Sequence, residues 1–137
     1  MIPFRTIAVT SMLALAAAGC GGDDDSSKKS GAEKPPAEMT QQDDTAKTNA
    51  RNLATEVETC FVDQQTYAGC EQPEGTQLPI GSGPGQVEVA EAGDLDHTIV
   101  AHSESGTNFT IAKDAEGTAT RECDKPESGS CKPDGTW

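Results

Sequence analysis

Aromatic side chains are scarce in this chain, which carries one Trp, one Tyr and three Phe, and one of the three, Phe4, falls in the amino-terminal leader. A domain this short of large apolar side chains buries little surface and usually needs covalent ties. Basic residues are few as well: ten Lys and Arg stand against 23 Asp and Glu, for a net charge of -13. Phosphate recognition draws on clustered cations, so nucleic acid is excluded as a partner. The acidic balance points to a solvated, soluble surface. The longest apolar run, Ile7 to Ala18, is about a dozen residues, short of the roughly 20 that a bilayer span takes.

Catalytic and ligand-binding signatures are missing too. There is no C-x-x-C pair, so a zinc site is a poor reading of the cysteines. Gly81, Gly83 and Gly85 are followed by neither a helix nor a Lys, which makes them a turn and not a phosphate loop. His97 and His102 are the only histidines, and on one regular strand they face opposite sides. They cannot share a metal, and surface or edge positions are expected for both. Ser103 and Ser105 lie near His102, yet no G-x-S-x-G is present to build a hydrolase site. Asp94, Asp96, Asp114 and Glu116 sit in turns without EF-hand spacing, where acids next to Gly serve the turn itself. No cofactor is implied, and an enzyme is not expected.

What is present begins with the leader. Met1 to Thr6 carries Arg5, an apolar stretch follows, and small residues precede Cys20. This is the order of a secretory signal peptide. Its end, Leu15-Ala16-Ala17-Ala18-Gly19-Cys20, resembles the lipobox of bacterial lipoproteins, with Ala17 at the place where the family prefers Leu. The resemblance implies diacylation of the Cys20 thiol, two chains being enough for stable anchoring at the extracytoplasmic face of the cell membrane. From Gly21 to Glu38 the chain is Gly, Ser, Pro and charge, a composition that buries nothing and reads as a tether, with ends on the order of 25 Å apart.

The next stretch has helical periodicity. Ala46, Ala50, Leu53, Val57 and Phe61 form one apolar stripe, and Lys47, Arg51, Thr55 and Glu58 make a polar face. Thr40 and Asp43 form a weak capping box, which starts the helix near Thr40, and Asp43 is spaced to pair with Lys47. The helix should fail between Tyr67 and Gly69. Beyond it, residues 86–92, 97–103, 107–113 and 117–122 read as strands, joined by hairpin connections at Glu104-Ser105-Gly106 and Asp114-Ala115-Glu116-Gly117. The expected fold is α+β, one helix packed on an antiparallel meander, with the leader at 1–19, lipidated Cys20 and tether at 20–39 and the domain at 40–137. With Cys20 acylated, Cys60, Cys70, Cys123 and Cys131 remain, an even number that reads as two disulfides. Three pairings are possible. The sequential one, which closes two short loops, is the one expected.

Taken together, the segment Lys47 to Phe61, Tyr67, the run Thr98 to Ser103, Ser105 to Ile111, Arg121-Glu122-Cys123 and the terminal Gly135-Thr136-Trp137 resemble the head domain of type IV pilins and type II secretion pseudopilins, in the form found in high-GC Gram-positive bacteria. The resemblance implies a helix on an antiparallel sheet and a disulfide-closed carboxyl-terminal loop. Pilins begin with a prepilin cleavage site and a continuous apolar helix that packs the fibre. Here the lipobox and the polar tether stand in that place, so ordinary incorporation into a fibre is not expected. The functional expectation is a lipid-anchored head that acts through contacts with a pilus, secretion or adhesion component. The alternative is a small ligand- or ion-binding lipoprotein, for which roughly a hundred ordered residues leave little room for a pocket.

Overall fold

The computed structural model describes residues 34–137. The leader, Cys20 and the tether up to residue 33 lie outside the described residues. Within them the order is α1 (Pro36–Gln64), β1 (Val87–Ala92), β2 (His97–His102), β3 (Asn108–Lys113) and β4 (Ala119–Cys123). The strands form one antiparallel sheet in the order β1-β2-β3-β4. The helix lies across it, which is the expected α+β arrangement.

The helix begins at Pro36, inside the stretch read as tether and ahead of the capping box at Thr40. Proline in the first turn has no N–H to leave unpaired and its φ is already helical, so the Pro35-Pro36 pair starts a helix where composition suggested coil. The N–H groups of Glu38 and Met39 donate to the Pro35 carbonyl, and the Thr40 hydroxyl donates back to Pro36 at 3.0 Å instead of capping. At the other end the helix stops at Gln64, before Tyr67. Gln65 adopts a left-handed conformation (φ 59°) and its N–H closes on Phe61 at 2.7 Å. The bond between Cys60 and Cys70, with Cα atoms 6.0 Å apart, holds the chain in that reversal.

Ala46, Ala50, Leu53 and Val57 are buried against Val87, Ile99, Ala101, Phe109 and Ile111. Burying one such Leu or Phe is worth roughly 1.5–3 kcal/mol, so a core of this size is modest. Phe61 ends the stripe half-buried, its ring stacked on Tyr67 with centroids 4.4 Å apart. Both hairpins form where expected: Ser103 N–H donates to Thr107 across one, and Asp114 N–H to Thr118 across the other. The glycine loop runs along the free edge of β1, where the Gly81 N–H and the Pro79 carbonyl bond Val87. That covers the first residue of an edge whose backbone groups are otherwise open to other chains.

The expected pairing of Asp43 with Lys47 does not occur. Lys47 bonds Asp44 at 3.3 Å and lays its stem on the sheet, with the ammonium 5.4 Å from the centre of the Phe109 ring. Asp43 is fully buried. Its Oδ1 accepts from the hydroxyls of Ser103 (2.7 Å) and Ser105, and its Oδ2 accepts from the Ser130 N–H at 2.9 Å. Gly129, at φ 58°, passes so close that a Cβ there would strike the carboxylate. One side chain of α1 thus joins the β2–β3 turn to the loop closed by Cys123 and Cys131, whose Cα atoms are 5.9 Å apart.

Asp43→Ala would leave the buried Ser103 hydroxyl and the half-buried Ser105 hydroxyl and Ser130 N–H without their acceptor, and should lower the unfolding free energy by about 2 kcal/mol. Asp44→Ala, one residue along on the exposed side, should cost less than about 0.5 kcal/mol. Urea unfolding of the two variants measures the contrast, and equal losses would refute the assignment.

Candidate functional site

The densest group of titratable side chains gathers where the carboxyl end of α1 meets β2 and β3. The left-handed turn at Gln65 sends Tyr67 back beneath the helix, and its N–H donates to the Asp94 carbonyl at 3.3 Å in the β1–β2 turn. Tyr67 is buried. Its hydroxyl donates to Glu58 Oε1 at 2.9 Å and accepts from Lys113 Nζ at 2.8 Å, while Lys113 also donates to Glu58 Oε1 at 2.8 Å. The three form a closed triangle, with Glu58 from the helix, Lys113 from the end of β3 and Tyr67 from the loop between them. His97 stands on the inner face of β2 with its ring centre 4.5 Å from that of Tyr67, and its Nδ1 is buried without a partner.

The charge states follow from these contacts. Burial pushes the Glu58 carboxyl up, but the bonds from Lys113 and Tyr67 outweigh it and hold the carboxyl below its ordinary range. The bond to Glu58, then that to Tyr67, holds the Lys113 ammonium above its ordinary value. Burial raises the Tyr67 phenol, and burial lowers the His97 imidazole. Glu58 is therefore ionised, Lys113 charged, Tyr67 protonated and His97 neutral near pH 7. Each member of the triangle bonds the other two, so the three side chains tie α1, β3 and the loop between them to one another.

Surface positions were expected for both histidines, and His97 departs from this because its place in the strand alternation turns it toward the helix. His102 does face the other way. Its Nε2 lies 3.0 Å from Glu88 Oε1 and its Nδ1 2.8 Å from Asn108 Oδ1, and Asn108 Nδ2 donates to Asp124 at 2.8 Å, so a polar chain crosses the outer face of the sheet. Ser103 and Ser105 turn to Asp43 and not to His102. Of the turn acids, Asp96 and Asp114 line one shallow depression, Asp94 accepts from Thr66, and Asp114 accepts from the Thr118 N–H at 2.7 Å. Among the described residues no three His, Cys, Asp or Glu side chains are disposed to hold a metal ion. Cys60 pairs with Cys70 and Cys123 with Cys131, and Cys20 lies outside the described residues.

Glu58, Tyr67 and Lys113 carry no spacing signal, because Glu58 falls at a helix position that reads as solvent-facing. The one hint is that the chain's single Tyr lies just ahead of Cys70.

The pH dependence of stability has a definite sign. His97 and Glu58 have folded values below their ordinary 6.5 and 4.5, so their contributions are present above those values and are lost as acid carries the pH down through the folded ones. Tyr67 and Lys113 have folded values above 10.0 and 10.5, so theirs are present below those values and lost as the pH rises through the folded ones. Stability should hold from about pH 6.5 to 10 and fall on both sides. The Glu58 side chain is 42% exposed, so solvent screens its share and His97 should dominate the start of the acid limb. Urea midpoints across pH check this: His97→Phe should flatten the start of the limb below 6.5, and an unchanged limb would refute it. Comparison with protein families, with curated proteins and with solved structures gives no match to this chain.

Proposed function

We propose that the protein is an exported lipoprotein, diacylated on Cys20 and held at the extracytoplasmic face of the cell membrane. Its pilin-like α+β head acts through protein contacts at the cell surface, with a pilus, secretion or adhesion component as partner. The observation that carries this reading is the closure of four cysteines into two disulfides, Cys60 with Cys70 and Cys123 with Cys131. Such bonds belong to oxidising compartments. They also leave Cys20 as the single cysteine over, at the end of a leader that resembles a lipobox.

The head supports the pilin comparison by its order: a helix first, then an antiparallel meander, then a carboxyl-terminal loop closed by a disulfide. Among the described residues no helix is long and apolar enough to cross a membrane, and the amino-terminal turns of α1 are largely polar and exposed. A head built this way meets its partner from a tether and not through a fibre core. The activity in this reading is binding and not catalysis: in the titratable cluster Glu58, Tyr67 and Lys113 bond one another.

Intact mass of the protein extracted from membranes tests the reading. Loss of residues 1–19, the added mass of acyl chains on Cys20 and the loss of four hydrogens for the two disulfides are expected. A chain that keeps the leader, or one found in culture fluid without acyl mass, would overturn it.

A further inference from the structure

Arg51 on α1 and Arg121 on β4 are far apart in the sequence and meet at one side chain, Trp137. Their guanidinium carbons lie 5.0 Å and 5.6 Å from the centre of the indole, within the range of cation–π attraction. The indole is pinned. Its Nε1 donates to the Glu122 carbonyl at 2.9 Å and to the Thr110 carbonyl at 3.3 Å, and the Phe109 ring meets it edge-on with centroids 5.8 Å apart. The helix packs on β1, β2 and β3 but makes no contact with β4, so this side of the sheet is lined by the Arg-Trp-Arg group instead of by α1.

Both arginines are exposed, and among the described residues neither guanidinium donates a hydrogen bond or joins an ion pair, although the chain holds 23 acids against ten bases. Other cations do find partners: Lys47 bonds Asp44, Lys113 bonds Glu58 and Lys34 bonds the Glu104 carbonyl. A guanidinium that rests on a ring keeps its N–H edge free. That edge grips a carboxylate with two parallel bonds.

We propose that Arg51, Trp137 and Arg121 form the docking site for a protein segment that presents one carboxylate among basic neighbours. This deepens the reading of the protein as a contact module and rests on it. Charge decides the occupant. Asp44 is exposed on α1, about two turns ahead of Arg51, and the chain's net charge is -13, so a polyanion is repelled on approach. A lone carboxylate flanked by Lys or Arg satisfies the two guanidiniums and the acidic chain together.

Trp137 is the only tryptophan, so its emission reports on this site alone. The full chain, acylated and held in neutral detergent, is titrated with the peptide acetyl-Lys-Ala-Glu-Ala-Lys-amide and with its Gln counterpart. A saturable emission change with the Glu peptide is expected, about tenfold weaker with the Gln peptide and about tenfold weaker again in the double variant Arg51→Gln, Arg121→Gln, as loss of a charge-assisted bond implies. The shift of the Trp137 indole N–H resonance gives a second readout, and unchanged spectra elsewhere show that the variant is folded. Equal response to both peptides, no saturable response to either, an effect untouched by the double variant, or a stronger response to phosphatidylglycerol vesicles would each overturn the docking site. Those results on a chain that carries acyl mass on Cys20 would leave the proposed function standing and remove only this surface.

Discussion

A carboxylate taken out of water needs donors to replace the water, and among the described residues Asp43 joins no ion pair. Its donors come from two places far from it in the sequence: the β2–β3 turn, through Ser103 and Ser105, and the loop after β4, through the Ser130 N–H. The turn brings no large apolar side chain to the core, and the loop brings only Cys131 and, at its end, Trp137. The core thus fixes the middle of the helix, and Asp43 fixes what surrounds its first half. The requirement runs both ways. The left-handed Gly129 leaves room for the carboxylate, and any side chain there would displace it.

The two ends of α1 are tied by different chemistry for a common reason, the shortage of apolar surface. At the first end the tie is a buried carboxyl group with hydroxyl and backbone donors. At the second, Cys60 closes a short loop with Cys70, and in the chain-entropy account each loop of this kind is worth about 3 kcal/mol. The turn that the disulfide holds brings Tyr67 under the helix, where it completes the bonds of Glu58 and Lys113. A covalent constraint and the stacking of Tyr67 on Phe61 thus together place this polar network.

The apolar stripe Ala46, Ala50, Leu53 and Val57, the alternation in the strands and the turn residues of both hairpins were legible because each is a local periodicity with one structural meaning. The parity of Cys60, Cys70, Cys123 and Cys131 was legible for a similar reason. The polar half of the molecule was not. Asp43 and Asp44 are indistinguishable as letters, yet one is buried and the other exposed, and the difference lies in Ser103, Ser105 and Ser130, which are far away along the chain. Lys47, Arg51 and Glu58 read as a wet face because a polar letter implies exposure. In the structure Arg51 is exposed, yet each has a partner beyond the helix, Lys47 at Phe109, Arg51 at Trp137 and Glu58 at Lys113. The helix start was missed because two prolines look like coil by composition and act as a helix start by geometry.

The placing of Trp137 follows from widths. A helix with its side chains is about 10–12 Å across, whereas four strands at about 4.8 Å spacing make a broader floor. A single helix can cover three of them, and α1 covers β1, β2 and β3. The strand left over would expose the edge of the Phe109 ring and the inner side of β4. A long apolar residue there would be an aggregation hazard on an edge strand. An indole bonded to two sheet carbonyls, with arginine stems beside it, covers the same area and keeps charge at the rim. The solution that closes the core on its uncovered side is thus also the one that leaves two guanidinium edges facing outward.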